Sequence, residues 1–212
     1  MIDPEKLILY GGLSIILLVV FIENGVFFGF FLPGDTLLFT AGLLCATGKL
    51  EVSIATLLIT VSLAGILGNL FGYVFGLKMG QKLYNRKDSL LFKKKYIVAA
   101  EAFFNKYGGL ALIMGRFLPI IRTFAPIFAG IVRFDFRNYL MFNIIGGIVW
   151  AVSMQLAGYF LGTIFPSAKE NLEYIIIAIV VITWIPVITT YIKERRNKAK
   201  ASNPTSTESI KN

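Results

Sequence analysis

Three stretches of the chain contain no Asp, Glu, Lys or Arg: residues 52–77, 138–168 and 174–192. Each is long enough for a helix to cross ~30 Å of hydrocarbon, which takes about 20 residues. Inside lipid every backbone N–H and C=O must be paired within the protein, and a helix does this without help from neighbours. The stretches therefore predict an all-α, polytopic membrane protein. Composition agrees, with 56% hydrophobic and 16% charged residues, where soluble domains carry about a quarter charged.

The same composition narrows the chemistry. The chain has no histidine, and Cys45 is its single cysteine. An intrachain disulfide is excluded. So are His-dependent phosphatases and hydrolases, and neither a metal nor another cofactor is expected. An intramembrane enzyme would need a nucleophile paired with a base, and scattered serines do not supply one. The expectation is a protein that is not an enzyme.

Charge placement predicts orientation. Residues 78–106 hold eight basic and two acidic residues, and the segment from Lys193 onward holds six and two. The loop 163–173 has Lys169 against Glu170 and Glu173. An excess of Lys and Arg marks cytoplasmic loops, so 78–106 and the C-terminus are expected inside and 163–173 outside. These charges flank spans and no nucleic-acid motif accompanies them, so the net charge of +9 does not indicate a nucleic-acid partner. The apolar run 7–22 continues into Glu23-Asn24-Gly25 without a small-residue cleavage pattern, and is expected to be retained. By the same alternation it starts inside, although Asp3, Glu5 and Lys6 do not decide it.

Laid on itself with a shift of 86 residues, the sequence repeats. Gly29 falls on Gly115, Phe31-Leu32-Pro33 on Phe117-Leu118-Pro119, Gly72-Tyr73 on Gly158-Tyr159, and Gly76 on Gly162. Internal repeats of this kind are the usual construction of secondary transporters. Each repeat holds an apolar segment broken by charge and proline, then a long Gly-rich helix: 53–79 in the first, 138–163 in the second.

The broken segments are 24–48, split by Asp35, and 107–132, split by Arg116 and Arg122. Their uncharged pieces are too short to span, and Pro33, Pro119 and Pro126 remove helical N–H donors. Irregular backbone at membrane depth needs a protein or water-filled cavity around it. Both segments are therefore expected as re-entrant hairpins. Basic residues bound the second on both sides (Lys93–Lys95 and Lys106; Arg133 and Arg137). It opens inward, and the first opens outward. The expected architecture is an inverted repeat of re-entrant hairpin plus transmembrane helix, with an additional C-terminal transmembrane helix at 174–192. Repeat 1 covers about 23–80 and repeat 2 about 107–163, within one transmembrane domain, 1–192. Residues 193–212 form a basic tail expected to be disordered and cytoplasmic. Residues 96–107 suit an amphipathic helix at the inner interface.

Four ionisable residues fall where hydrocarbon should be: Glu23, Asp35, Arg116 and Arg122. Each costs ~2.5–3.5 kcal/mol on insertion scales, so each calls for a reason. They could pair as structural salt bridges, and Glu23 could snorkel if its helix ends early. Arginine also offers a rigid fork of donors suited to a phosphate oxyanion, which makes Arg116 and Arg122 candidate phosphate ligands. Half-helix N-termini pointing inward would add to such a site. A carboxylate in a dry site can take and release protons near neutral pH. With no histidine present, Glu23 and Asp35 are the candidate proton carriers. A phosphate that displaces a carboxylate from an arginine would couple proton uptake to binding. Gly68, Gly72, Gly76 and Gly80 recur every four residues, leaving one helix face without bulk for close packing. Gly34, Pro33, Pro119 and Pro126 shape the hairpins.

These motifs resemble the DedA family, whose domain is also called VTT or SNARE-associated. The likeness runs from Glu23 and Phe31-Leu32-Pro33-Gly34-Asp35 with Ala41-Gly42, through Gly68-Asn69, Gly72-Tyr73 and Gly76, to Phe104 and Tyr107-Gly108. It continues through Gly115-Arg116-Phe117, Pro119, Arg122, Pro126 and Ala129-Gly130, then Phe136 to Asn143 and Gly146-Gly147 to Trp150. It covers roughly residues 20–165. The resemblance implies a bacterial inner-membrane lipid translocase dependent on the proton motive force. The implied substrate is a phosphate-bearing lipid such as undecaprenyl phosphate or a phospholipid. The family's acidic pair matches Glu23 and Asp35, and its arginine pair matches Arg116 and Arg122. Where many members carry Gly-Arg after the Gly-Tyr block, this chain has Gly76-Leu77-Lys78, so no arginine role carries over there. A proton-coupled transporter of a small ion or soluble oxyanion would use the same four residues and stays open beside it. The sequence leaves assembly into a homo-oligomer open.

Overall fold

The computed structural model describes residues 4–26, 29, 32, 34–84, 94–116 and 119–164. Seven helices lie among them: α1 Pro4–Gly25, α2 Gly34–Ala46, α3 Ile54–Tyr84, α4 Lys94–Tyr107, α5 Leu110–Gly115, α6 Pro119–Ile131 and α7 Phe136–Ile164. The expected span 174–192, the tail 193–212, and Pro33 lie outside the described residues.

Among the described residues three helices are long and apolar enough to cross a membrane: Glu5–Gly25, Ile54–Gly80 and Phe136–Ile164. Their outward faces carry Leu63, Leu67, Phe71, Ile145 and Ile148, all exposed, which suits lipid as the surrounding solvent. The two long helices of the repeats begin at side-chain caps. Ser53 Oγ accepts from the Thr56 amide at 3.1 Å before α3, and Asp135 Oδ1 accepts from the Asn138 amide at 2.9 Å before α7. Each cap satisfies one of the amides a helix start leaves without an intrahelical partner.

α2 and α6 are different. Each has 13 residues, hence a length of about 20 Å, short of the ~30 Å hydrocarbon thickness. A shift of 86 residues places them on one another to within a residue. They also end alike: α2 turns off through Gly48 (φ 71°) and α6 through Arg133 (φ 54°). Both stop in the left-handed conformation that releases the chain from a helix. The expected break in 107–132 is realised as α5 and α6, with Arg116 at the end of one and Arg122 in the first turns of the other. The first broken segment differs from the expected 24–48. Asn24 and Gly25 complete α1 instead of opening a hairpin, because the apolar run from residue 7 carries the helix through its polar end. Gly34 at the start of α2 then lies against Glu23 near the end of α1, while Lys49 beyond α2 pairs with Glu5 at the start of α1. α1 and α2 therefore run antiparallel.

Packing crosses the repeats. α2 lies along α7, and α3 along α6, as the two most extensive helix pairs. Glycines make both contacts close and reciprocal. A Cβ on Gly42 would meet the Gln155 carbonyl, and one on Gly158 the Phe39 carbonyl. In the other pair, Gly76 faces the Ile127 carbonyl and Gly130 the Tyr73 carbonyl. Such approach brings backbones into van der Waals contact where no hydrophobic force drives helices together. The four-residue glycine row of α3 is shared in the same way. Gly68 lies against Phe21 and Asn24 of α1, Gly72 against Gly25 and Pro126, Gly76 against Ile127, and Gly80 against Ile131.

Candidate functional site: a buried charge chamber

Four helix ends deliver charge to one place. Glu23 comes from the last turn of α1, Asp35 from the first turn of α2, Arg116 from the cap of α5, and Arg122 from the first turns of α6. Arg122 gathers both acids. Its Nη2 pairs with Glu23 Oε1, and its Nη1 with Asp35 Oδ1 at 2.5 Å. The first turns of α2 and α6 therefore meet, their positive dipole ends facing the same charges. A cation in a helix N-terminal turn adds to that positive end, and two carboxylates offset it. Glu23 and Arg122 are only 1% and 3% exposed. At such depth a lone charge would cost several kcal/mol, so pairing is what makes the arrangement tenable.

Trp150 of α7 closes the cluster. Its ring lies 4.7 Å from the Arg122 guanidinium carbon, and its indole N–H donates to Asp35 Oδ1 at 2.9 Å. Gly65 of α3 makes room for the ring, since a Cβ there would lie 3.3 Å from Cζ3.

Arg116 occupies a neutral setting. Its side chain lies over Gly146 and Gly147 of α7, where a Cβ would come within 3.2 Å of Cδ and 3.0 Å of Nη1. Nη2 donates to Asn143 Oδ1 at 2.5 Å and to the Asn143 carbonyl at 3.1 Å. Turning the Asn69 amide puts its oxygen 2.5 Å from Arg116 Nη2 and its nitrogen 3.1 Å from the Asn24 carbonyl. That orientation serves both groups, and it links Arg116 to the residue beside Glu23. Tyr139 holds the Asn69 backbone through its hydroxyl at 2.7 Å and stacks on Tyr73. Arg116 is 2% exposed and pairs with no carboxylate among the described residues. Its Nη1 has no hydrogen-bond partner there.

The structure thus brings Glu23, Asp35 and Arg122 into direct contact and sets Arg116 among amides. Counted in their ordinary ionised forms, the two carboxylates and one guanidinium of the triad leave one negative charge, and Arg116 carries one positive charge apart from them. Gly34 is where the acids need space: a side chain there would overlap the Glu23 carboxylate. Trp150, Asn69 and Asn143 received no role from the sequence. A polar residue inside an uncharged spanning stretch was the available signal for the two asparagines. Among the described residues no group of three or more metal-ligating side chains forms.

A helical protein with three apolar spans among its described residues and charges enclosed between short broken helices is a multi-pass membrane protein with an internal polar site. The VTT domain matches residues 32–160, and the chain belongs to this family, the DedA family. An uncharacterized membrane protein of Mycobacterium tuberculosis H37Rv is 41% identical over 191 residues, covering 89% of this chain and 83% of that one. Protein DedA of Escherichia coli K12 is 35% identical, covering 89% and 86%. The inner membrane protein YqjA of Escherichia coli K12 is 32% identical, covering 70% and 66%. No solved structure matches the chain.

Proposed function

We propose that this protein moves a phosphate-bearing lipid across the bilayer, taking up a proton as the headgroup binds. The observation that carries the reading is Arg116: a buried guanidinium with, among the described residues, an unpartnered Nη1 and no acid beside it. A buried cation in this state is costly, and an anion that reaches it offsets that cost. Guanidinium presents a planar fork that matches a phosphate oxyanion. The N-terminal turns of α2 and α6 add oriented amides to the same region. Arg122 is the second phosphate ligand in this scheme, once a carboxylate releases it.

Glu23 and Asp35 are the proton-coupling residues, being the carboxylates that Arg122 holds. The crossed packing of α2 on α7 and α3 on α6 supports an inverted repeat, with α2 and α6 as the inner arms of two re-entrant hairpins facing each other. Transporters of this construction place substrate where broken helices meet near the midplane. The excess of basic residues in 78–106 and in the C-terminal segment supports a cytoplasmic side for both. The protein's membrane would be a bacterial inner membrane, as in the name of the relative YqjA.

The test is reconstitution into liposomes with labelled polyprenyl phosphate and labelled phospholipid in separate arms. Translocation of one lipid by wild type, lost in Arg116→Ala and Arg122→Ala, is the expected result. Equal translocation by all three proteins would remove the site assignment. Uptake of soluble phosphate without lipid movement would instead make the protein an oxyanion transporter.

A further inference from the structure

The two acids are held unequally. Asp35 Oδ1 receives two donors from two helices, Arg122 Nη1 of α6 at 2.5 Å and Trp150 Nε1 of α7 at 2.9 Å. Among the described residues Glu23 receives one side-chain donor, Arg122 Nη2. Its other oxygen, Oε2, is buried without a side-chain donor among the described residues. That oxygen lies against Gly34, whose amide is directed to the Leu32 carbonyl at 3.0 Å. The charged groups facing Glu23 are Arg122 and Asp35. α3 meets this turn of α1 through Gly68, beside Phe21, Asn24 and Gly25.

We propose that Trp150 is a positioning residue that divides the labour of the two acids, fixing Asp35 to Arg122 as a permanent counter-ion and leaving Glu23 as the one that yields its place to the anion and takes the proton. The inference rests on the coupled-transport reading above and assigns its proton. An oxyanion that accepts from Arg122 Nη2 removes the one side-chain hydrogen bond Glu23 has among the described residues. A buried carboxylate left unpaired is costly, and one proton from bulk water bound to its oxygen removes the charge. Asp35 loses nothing in the same step. Nη1 stays with it, the indole N–H stays with it, and the ring face keeps the guanidinium plane in register. In a chain without histidine, no other side chain offers both an aromatic face and an N–H from one rigid ring.

Infrared difference spectroscopy tests this on the purified full-length protein in lipid nanodiscs, with and without inorganic phosphate. Phosphate should produce one new carbonyl band of a protonated carboxylic acid. In wild-type protein that band should shift when glutamate carries a 13C carboxyl and stay put when aspartate does, which requires no substitution. Glu23→Gln should abolish it. Trp150→Phe keeps the ring and loses the N–H, and should add a second band that shifts with 13C-aspartate. A wild-type band that moves with aspartate, no band on adding phosphate, or a Trp150→Phe spectrum identical to wild type overturns the proposal. If the glutamate band forms but no lipid is translocated in the liposome assay, the lipid reading fails while this assignment stands.

Discussion

Lys49 and Glu5, forty-four residues apart in the chain, form an ion pair at 2.8 Å that joins the loop after α2 to the start of α1. With Gly34 against Glu23 at the other end, the pair makes α1 and α2 a closed antiparallel hairpin. The start of α1 therefore lies at the same end as the start of α3, since α2 leads into α3 through Lys49, and opposite Lys78; this corrects the expectation that the run 7–22 begins on the same side as 78–106.

This fixes a topological outcome. In a Cys45→Ser background, Glu5→Cys and Lys49→Cys should react with a membrane-impermeant maleimide from the same side of the membrane. Lys78→Cys, near the far end of α3, should react from the opposite side. Labelling of positions 5 and 49 from opposite sides would contradict the hairpin. Lys49 is 39% exposed, so Lys49→Ala should cost under about 1 kcal/mol, as surface pairs do.

Arg122 and Arg116 should differ in what their loss does to stability. Arg122→Met strands two carboxylates and should destabilise by about 3–5 kcal/mol, the range for breaking a buried pair. Adding Glu23→Leu should recover a substantial part, since Asp35 keeps the Trp150 N–H. Thermal unfolding in detergent reads both.

Arg116→Met strands no acid. The Asn143 amide oxygen loses a donor, which costs about 1–3 kcal/mol at most, and a turn of the Asn69 amide back through half a rotation would bring its Nδ2 to 3.1 Å to replace it. The unfolding midpoint should fall less than in Arg122→Met, while lipid translocation is lost as fully. Arg116→Lys should not restore translocation, because a point charge cannot reproduce the planar fork. Recovery of wild-type rates by lysine would count against bidentate binding.

Gly76→Ala and Gly158→Ala should have matching effects, because each places a methyl against a carbonyl of the opposite repeat's short helix. Overpacking of this kind costs typically 1–3 kcal/mol. Gly12→Ala is the contrast: nothing lies within 4 Å of a Cβ there, and the strain comes from a φ of 56° alone. Unfolding midpoints of the three variants should separate the packing cost from the backbone cost.

Much of the helical layout was legible from local pattern. The expected long helices 53–79 and 138–163 correspond to α3 and α7, and the amphipathic stretch 96–107 to α4. Arg116 and Arg122 marked the break between α5 and α6, because a charge or a proline within a short apolar run interrupts a span wherever it occurs. The pairing of α1 with α2 was not legible, since a polar helix end does not reveal which neighbour receives it. Trp150 lay among apolar residues on α7, and nothing local distinguished it from lipid-facing side chains.

The sequence by itself determined that the chain is helical, that it crosses a membrane, and that four charges are carried inside. Those properties depend on hydropathy and charge along a single segment, which bilayer thickness converts directly into structure. Only the tertiary structure decided how the charges are shared. Arg122 holds Glu23 and Asp35, Trp150 braces the pair, and Arg116 is left among asparagines. Buried charges choose partners by distance and direction in three dimensions, and those are set by which helix ends the glycine contacts bring together.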